Sequence, residues 1–435
     1  MRLLPTPQLA PLLVATTLAI CFNPLPARAA TFNVSNCNDS GAGSLRAAVA
    51  NAASGDVVNL ATTGCPRIVL TSGPIAITQN YLTLLGPGLS AMAIDGNGMN
   101  SVLRHTGSGT LRIEKLTIAN GALSTSPALG GCIYGRHLII KHSLITQCRA
   151  DGGPQGTSDG GAIHARGNLG LYNSSVTDSE AVSSYARGAG VFVGGRLTLD
   201  HSRLRSNIAE TGLAGGAYVV GNFIARYASI TRNESAGAGG VAVEGDSYVD
   251  KSTFAGNISS SSPGALQAYG QWGVGTNVIT NSTFSSNIAW RNAALETFGD
   301  TTIAGSTIAY NRELDTRNCD GALVARYLQL ESSILARNTC SNGQAYDLGG
   351  YWGELTGGNN LIMRSRPAVP AGTLTADPQL GPLQLNGGLT KTHLPASTSP
   401  VIDAGNNVLA LPYDQRGPGF PRVKGAAADI GAVER

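Results

Sequence analysis

One short pattern recurs nine times between residues 111 and 338, and it constrains the fold more than any other feature of the chain. Its full form is apolar-x-apolar-x-x-Ser-x-apolar-x-x-Asn, as in the copy formed by Leu197, Leu199, Ser202, Leu204 and Asn207. The copies are spaced by about 27 residues, a period typical of solenoid proteins. Inside each copy the apolar residues alternate with a period of two, so the pattern predicts strands rather than helices.

A second recurring feature, a Gly-Gly step followed by a small and an apolar residue, lies between the copies. It occurs at residues 130–133, 160–163, 215–218 and 239–242. The glycines allow a tight corner, and the apolar residue after them begins another inward-facing strand. Three short strands and three corners then make one coil. The sequence therefore predicts an all-β chain folded as a single-stranded parallel β-helix of about ten coils.

The two ends of the chain lack the repeat and are predicted to cap the stack. A stack of coils leaves an open strand edge at each end, and this edge must be covered against aggregation. Residues 44–52 have helix-like apolar spacing with Ser44 as N-cap, so we expect a helix across the first coil. The Pro- and Gly-rich residues 365–435 are expected to wrap the far end.

Residues 1–29 have the organisation of a secretory signal peptide. Arg2 precedes an apolar stretch, and a small-x-small cleavage site follows at residues 27–29. The apolar stretch is short for a membrane span, so we expect cleavage near Ala30 and no transmembrane segment in the mature chain. The predicted organisation is a signal peptide at residues 1–29, an N-terminal cap with the first coils at 30–110, β-helix repeats at 111–364 and a C-terminal capping segment at 365–435.

Six of the seven cysteines remain after removal of the signal peptide, an even number that suits an oxidising compartment. Their order along the chain falls into three local couples, each separated by about one coil or less. We therefore predict disulfides rather than a metal site, and no Cys-x-x-Cys or paired-His spacing indicates zinc. The predicted pairs are Cys37 with Cys65, Cys132 with Cys148, and Cys319 with Cys340.

Both ends of the chain resemble a known group of bacterial extracytoplasmic proteins. The start, from Cys37 to Val49, resembles the CSLREA-like N-terminus of that group, with an insertion after the cysteine and Ala47 in place of Glu. The last part resembles the choice-of-anchor Q ending in the motifs at residues 377–383, 386–388, 399–405, 414–417 and 429–434. The repeats also resemble those of polymorphic outer-membrane proteins.

This resemblance implies a right-handed parallel β-helix that is exported from a bacterial cell. It implies a fold rather than an activity, because parallel β-helices include pectate lyases, polygalacturonases, phage tailspikes and adhesins. Members of the group usually carry a surface-anchoring tail that is absent here. We therefore expect a secreted, periplasmic or outer-membrane-associated protein.

The two residues after the second apolar position of each copy are predicted to turn away from the core and stack into a polar stripe. The middle of the stripe is the best candidate site, because it combines acids, bases and an aromatic residue on three successive coils: Asp200, His201, Arg226, Tyr227, Asp250 and Lys251. Together they extend over roughly 10 Å, enough to contact two or three sugar units. We interpret His201 and Tyr227 as binding residues.

The other four residues of this site have two catalytic interpretations. In a lyase, Arg226 or Lys251 would abstract the proton beside a uronate carboxylate, and Asp200 with Asp250 would hold Ca²⁺ as a cofactor. In a hydrolase, Asp200 and Asp250 would form the pair of carboxylates. The structural alternative is a solvated stripe in which acids and bases alternate because like charges stacked at strand spacing repel.

Most other polar residues of the repeat have structural interpretations. The column of Asn residues, from Asn207 to Asn338, is expected to hydrogen-bond from coil to coil. The serines five positions before these Asn residues are expected to be small corner residues.

A few residues outside the repeated pattern are weaker candidates for contact with a ligand. Trp272 and Trp290 lie in or beside the longest connections and are candidates for stacking on sugar rings, although aromatic residues also pack loops. His164, Gln267 and Glu296 are isolated polar residues on the Gly-Gly strands and are interpreted as surface residues.

These observations support two functions from different classes. The first is a secreted or cell-envelope protein that binds polysaccharide or cell-surface glycans through the polar stripe, as an adhesin does. The second is a polysaccharide lyase or glycoside hydrolase that acts on acidic polysaccharide. Nucleic-acid binding is not expected, because a net charge of +3 is spread over 435 residues. The oligomeric state is left open.

Overall fold

The protein is a parallel β-solenoid of about 12 turns, as seen in a computed structural model. The structure describes residues 29–261, 263–344, 346–351 and 354–435, so the predicted signal peptide lies, except for Ala29, outside the described residues. The predicted all-β fold is confirmed. The solenoid has more turns than the predicted ten because coils before residue 111 and after residue 338 carry the same strands without the full sequence pattern.

Each full coil passes through three parallel sheets, which we call A, B and C. Sheet A has 22 strands because most coils contribute two strands to it, first the Gly-Gly strand and then the first strand of the repeated pattern. Its strands are Thr31–Asn33, Val57–Asn59, Ile75–Ile77, Leu82–Leu85, Leu103–His105, Thr110–Glu114, Ile133–Gly135, His137–Lys141, Ile163–Ala165, Leu169–Tyr172, Val191–Val193, Leu197–Asp200, Ala217–Val219, Phe223–Arg226, Val241–Val243, Ser247–Asp250, Leu266–Ala268, Thr276–Thr280, Leu295–Ala304, Leu323–Glu331, Leu348–Tyr351 and Leu355–Thr356.

Sheets B and C complete each coil. The 12 strands of sheet B are Arg67–Val69, Ala93–Asp95, Thr117–Ala119, Leu144–Thr146, Ser175–Thr177, Arg203–Arg205, Ser229–Thr231, Thr253–Ala255, Thr283–Ser285, Thr307–Ala309, Ile334–Ala336 and Leu361–Ile362. The ten strands of sheet C are Ala122–Ser124, Ala128–Leu129, Arg149–Asp159, Glu180–Arg187, Ile208–Ala209, Glu234–Ser235, Ile258–Ser259, Ile288–Ala289, Arg312–Glu313 and Thr339–Cys340.

The inward side chains of all three sheets form one continuous core. Coils stack in register, so Leu199 pairs with Ala225 in sheet A and Ile230 pairs with Phe254 in sheet B. The rings of Phe254 and Phe284 stack with centroids 4.7 Å apart. All five residues belong to the same buried cluster, which runs from Val34 to Ile362. The apolar period of two in the sequence is therefore the inner lining of a single cylinder.

Two corners of each coil are formed by residues in the left-handed region, with φ between 45° and 65°. One corner follows the second strand of sheet A and the other follows the strand of sheet B, and most of the residues there are not glycine. The first set is Lys115, His142, Asn173, His201, Tyr227, Lys251, Asn281, Gly305 and Ser332. The second set is Asn120, Gln147, Asp178, Ser206, Arg232, Gly256, Ser286, Tyr310 and Arg337. A left-handed residue bends the chain from one sheet into the next within one position, which keeps each corner short.

The predicted column of Asn residues follows the second set of corners and is buried. The backbone N–H and the Nδ2 of Asn233 both donate to Oδ1 of Asn257, at 3.1 and 3.0 Å. The same Nδ2 donates back to the carbonyl of Leu204 at 3.1 Å. This scheme repeats from Asn207 to Asn338, where the last amide donates to Oδ1 of Asp347. The structural interpretation of the column is confirmed.

The N-terminal cap and the disulfides agree with the sequence. The predicted helix spans Leu45–Asn51, and the side chain of Ser44 caps it by accepting from the N–H of Ala47. A second, four-residue helix spans Gly270–Gly273. The three predicted pairs are bonded: Cys37 with Cys65, Cys132 with Cys148, and Cys319 with Cys340. In the part of the chain that the structure describes, neither helix has the length and apolar character of a membrane span.

The C-terminal segment differs from the expectation that all of it wraps the far end. Residues 364–374 do cover the last coil, where Leu374 exchanges backbone hydrogen bonds with Asn360 and Ile362. Residues 377–435, which we call the strap, turn back and pack on the outer face of sheet B. The strap can pack there because the outer face of sheet B presents uncharged groups to it. These are hydroxyls and small apolar side chains, such as those of Thr283 and Ala336.

Candidate functional site

The six residues of the predicted site lie along one edge of sheet A. Asp200, Arg226 and Asp250 end successive strands and pair in register, whereas the other three occupy the left-handed corners that follow: His201, Tyr227 and Lys251. The predicted proximity of these six residues is therefore seen in the structure. Their functional roles stay predictions.

Each acid of this site is engaged by its neighbouring base. Nδ1 of His201 lies 2.5 Å from Oδ1 of Asp200, and Nζ of Lys251 lies 2.6 Å from Oδ2 of Asp250. The ring of Tyr227 stacks on His201 with centroids 4.7 Å apart. Burial, and then the two carboxylates, raise the pKa of the Tyr227 hydroxyl. In the middle of the stripe, each carboxylate thus contacts the side chain of the corner residue that follows it, and Arg226 lies on the strand between the two acids.

The stripe is open to solvent only in its first part. The strap covers it from Lys251 onward, where Thr390 donates to the carbonyl of Lys251 at 3.0 Å. The Lys251 side chain is 10% exposed, and the later corner residues Asn281 and Ser332 are buried. The expectation that the whole stripe is exposed is therefore wrong, because the strap turns back along sheet B and covers the later coils. A substrate in the open part would reach Arg226 and not Lys251.

A second set of polar side chains, which we call the polar row, lies at the other edge of sheet A. The hydroxyl of Tyr218 donates to Oε1 of Glu244 at 2.5 Å. One coil further, the hydroxyl of Tyr269 donates to Oε1 of Gln267 at 2.9 Å, and Nε2 of Gln267 donates to Oε2 of Glu296 at 2.7 Å. Burial raises the pKa of both tyrosines, and the nearby glutamates raise it further. Gln267 and Glu296 are therefore not isolated, because the coil register brings them together.

The polar row leads into an open cleft of about 710 Å³, which we call the A cleft. Two carboxylates and two guanidinium groups line it: Asp320 is 3.5 Å from Arg291 Nε and 4.0 Å from Arg366 Nη1, while Glu296 accepts from Asn292 at 3.0 Å. Both arginine side chains are at least half exposed. The volume lies in the range of small-ligand sites.

Of the two tryptophans predicted to stack on sugars, the structure describes the side chain of Trp290 only. Trp290 is 45% exposed and immediately precedes Arg291 of the A cleft. The side chain of Trp272 lies outside the described residues. Sugar stacking by either residue stays a prediction.

His164 belongs to a buried stack of rings rather than to the surface. Its ring lies between those of Tyr134 and Phe192, with centroids 5.5 and 4.8 Å apart, and it is 5% exposed. Burial lowers the pKa of His164 to about 4, so the ring is neutral near pH 7. The guanidinium of Arg187 lies 4.7 Å from the centroid of Phe192 and is held by both carboxylate oxygens of Asp159. Through Phe192 the stack continues to Tyr218, so it joins the polar row on sheet A.

The sequence predicted no metal site at the cysteines and offered Ca²⁺ binding by Asp200 and Asp250 only for a lyase. Among the described residues, one other group has the residue types of a metal site. Glu313, Cys319 and Cys340 bring three potential ligand atoms within 4.8 Å of one another. Both cysteines are joined in a disulfide, so they offer no thiolate. Glu313 instead accepts hydrogen bonds from the backbone N–H groups of Asp320 and Gly321, and burial raises its pKa to about 7. The group is a structural contact beside the A cleft.

Comparison with known proteins identifies no family. No family model matches the chain, and no curated protein matches it. Among solved structures, the chain is similar to pectate lyase Pel9A, with a TM-score of 0.39 and 13% identity over 93% of this chain and 96% of that chain. This similarity is too low to indicate an activity. The resemblance of the two ends to CSLREA-like and choice-of-anchor Q segments stays a prediction.

Proposed function

We propose that the protein is a secreted or cell-envelope protein that binds a glycan on the outer face of sheet A. The observation that carries this proposal is the A cleft, an open cleft of about 710 Å³ with carboxylate, amide and guanidinium groups on its walls. A sugar hydroxyl can both donate and accept hydrogen bonds. The guanidinium groups of the A cleft can donate to it, and the carboxylates can accept from it.

Exposed aromatic residues on the same side of the solenoid support a sugar ligand. Tyr248 and Tyr327 are each 42% exposed on or beside sheet A, and Trp290 adjoins the A cleft. Aromatic rings with one exposed side offer an apolar surface on which the C–H face of a sugar packs. Asp200 and Arg226, in the open part of the stripe, are proposed to contact the same ligand at the opposite edge of the sheet.

A catalytic function is the second candidate, because Glu296 and Asp320 place two carboxylates in one cleft. Paired carboxylates are the requirement for glycoside hydrolysis. A Ca²⁺-dependent lyase at Asp200 and Asp250 is less favoured, because Lys251 and Thr280 already engage Asp250.

Glycan-array binding with the mature chain tests the proposed function. We expect binding to a defined set of polysaccharides, and the double variant Arg291→Gln, Glu296→Gln should lose most of it. The control variant Arg312→Gln, Glu234→Gln changes exposed charges on sheet C and should bind normally. Normal binding by the cleft variant would contradict the assignment of the A cleft, and an absence of any bound glycan would contradict the function.

The same samples separate binding from catalysis. Bound polysaccharides are incubated with the protein, and reducing ends and the absorbance of unsaturated products are followed. Reducing ends that form without unsaturated products, and that vanish in Glu296→Gln or Asp320→Asn, would identify a hydrolase at the A cleft. Unsaturated products that vanish in Asp200→Ala or Asp250→Ala would instead identify the stripe as a lyase site.

A further inference from the structure

Three arginines project from neighbouring coils on the outer face of sheet B, just before the region that the strap covers. Arg203 and Arg205 are exposed outward residues of one strand, and Arg232 is the left-handed corner residue of the next coil. Lys391 of the strap approaches from the side. All four line an open cleft of about 450 Å³ between sheet B and the strap, which we call the B cleft.

These four cations have no anionic partner. Within the described residues, none of their side chains forms an ion pair or a hydrogen bond, and the B cleft has no Asp or Glu on its walls. Several other arginines of the described residues are paired with carboxylates, as Arg187 is with Asp159 and Arg416 with Asp414. Like charges gathered around one cleft repel each other and raise the local potential, so an anion bound there relieves the repulsion.

The remaining walls of the B cleft indicate which anion fits. Hydroxyl groups of Ser229, Thr231 and Ser286 lie on one side, where they can donate to or accept from a polar ligand. On the strap side, Leu385 and Leu389 are 63% and 61% exposed and form an apolar wall. A charged sugar combines these properties, with anionic groups, hydroxyls and an apolar C–H face in one ring.

The surface that leads into the B cleft is suited to an extended ligand. In register with Arg203 and Arg205, the preceding coils present Ser175, Thr177, Thr146 and Leu144 on the same outward face. These side chains are short and uncharged, so they do not project far from the surface of sheet B. A linear polymer can therefore lie across several coils and place its anionic groups at the cleft.

We propose that the B cleft binds an acidic oligosaccharide, with its carboxylate or sulfate groups held by Arg203, Arg205, Arg232 and Lys391. Guanidinium groups bind such oxyanions through charge-assisted, bidentate hydrogen bonds. This site is separate from the A cleft and does not depend on the function proposed there. It gives the solenoid a second binding face, selective for charge rather than for the pattern of hydroxyls.

Isothermal titration of the mature protein tests this proposal with defined probes. The probes are a polygalacturonate hexamer, a sulfated heparin-derived hexamer and neutral cellohexaose, each at about 20 and about 300 mM NaCl. We expect one or both acidic probes to bind, with an affinity that falls as salt rises because the contacts are ionic. Cellohexaose should show no binding that depends on the B cleft.

Variants test whether the acidic probe binds at the B cleft. The triple variant Arg203→Gln, Arg205→Gln, Arg232→Gln should weaken the acidic probe by roughly 100-fold, because each lost guanidinium removes a charge-assisted contact. Arg312→Gln removes one unpaired, exposed arginine from sheet C and should leave the affinity unchanged. The cleft variant Arg291→Gln, Glu296→Gln should also bind the acidic probe normally, which separates this proposal from the first.

Two results would overturn the proposal. One is an unchanged affinity of the folded triple variant for the acidic probes, with folding checked by circular dichroism. The other is binding to vesicles of phosphatidylglycerol, lost in the triple variant, with no binding of either acidic hexamer, because the B cleft would then be a lipid-surface site.

Discussion

At the scale of residues, two neighbours at each sheet B corner have opposite roles. Arg232 adopts φ 56°, points outward and lines the B cleft, while Asn233 beside it is fully buried and connects coils through its amide. The left-handed residue turns the chain, and the Asn satisfies backbone groups that the turn would leave unpaired. The corner position can therefore carry side chains of different charge, whereas the buried Asn position that follows cannot.

The first prediction concerns the Asn column. In Asn257→Ala, the N–H and Nδ2 of Asn233 lose their acceptor, and the carbonyl of Ile230 and Oδ1 of Asn287 lose a donor, all inside the core. Buried unsatisfied groups carry the full cost of desolvation, so we expect a loss of about 2 to 4 kcal/mol in the free energy of unfolding. Urea denaturation measures it. Asn318→Ala, at an exposed position, is the control and should change stability by less than about 0.5 kcal/mol.

The second prediction concerns Asp347, the last acceptor of the column. Burial raises its pKa from 3.8 to about 6, although hydrogen bonds from Asn338 and Arg364 oppose the shift. The folded state therefore holds this proton more tightly than the unfolded state, and the resulting stabilisation is lost as pH rises from 3 towards 7. The free energy of unfolding of the wild type, minus that of Asp347→Asn, should fall by about 3 kcal/mol over this range.

Denaturation at several pH values measures this difference, and Glu210→Gln at an exposed position provides the matched control. A difference between wild type and Asp347→Asn that is constant with pH would show that Asp347 keeps its ordinary pKa.

At the scale of elements, the strap is held to sheet B by an apolar cluster, in which Val401 and Ile430 pack with Ile334, and by buried polar contacts around Gln415. Nε2 of Gln415 lies within 3.2 Å of four acceptors, on Ser252 and Thr253 of the solenoid and on Thr390 and Lys391 of the strap. Its Oε1 accepts from Thr283 at 2.6 Å. One fully buried amide thus joins two coils to two segments of the strap.

The third prediction follows from this arrangement. Gln415→Ala leaves several of these buried groups unpaired, so the strap should open locally more often and its backbone should become accessible to proteases. Limited proteolysis, followed by mass spectrometry, should show new cleavage between residues 377 and 435 while the coils before residue 250 stay intact. Gln155→Ala, at an exposed position in the sheet C strand Arg149–Asp159, should leave the digestion pattern unchanged. Uniform digestion of the whole chain would mean that strap and solenoid unfold as one unit.

At the scale of the whole molecule, most coils contact only the coil before and the coil after. Register pairs connect each strand to its counterpart one coil away, and the strap contacts coils from about residue 227 onward. A solenoid of this kind is stabilised by the sum of its coils and of the interfaces between them. Its length is therefore adjustable in units of one coil.

The fourth prediction uses this property. Leu197 pairs with Phe223, so deletion of residues 197–222 removes one coil and joins its neighbours in register. We expect a folded protein with a cooperative thermal transition, shorter by one strand spacing of about 4.8 Å. Deletion of residues 197–209 removes half a coil, turns inward residues outward and should abolish folding. Circular dichroism and thermal melts compare the two, and similar behaviour of both deletions would contradict the prediction.

The sequence predicts the solenoid because its periodicity is local, and the same register predicts that Asp200, Arg226 and Asp250 lie together. The polar row was recoverable from the same signal, since Gln267 and Glu296 occupy equal offsets from their Gly or Ala corners. The strap and the two clefts were not predictable in this way. Their residues come from distant parts of the chain, and a segment without a repeat carries no register that would show where it packs.

The Asn column has a direction. Each amide donates one Nδ2 hydrogen towards the following coil and accepts through Oδ1 from the preceding one, while its other Nδ2 hydrogen donates back to a backbone carbonyl. The side-chain carbonyl dipoles from Asn207 to Asn338 are therefore parallel and add. Parallel dipoles polarise one another, and their positive end lies at the far end of the column. Asp347 places a carboxyl group at that end. The interior of the solenoid is thus electrically asymmetric along its axis, in the manner of a helix with an acidic residue at its positive pole.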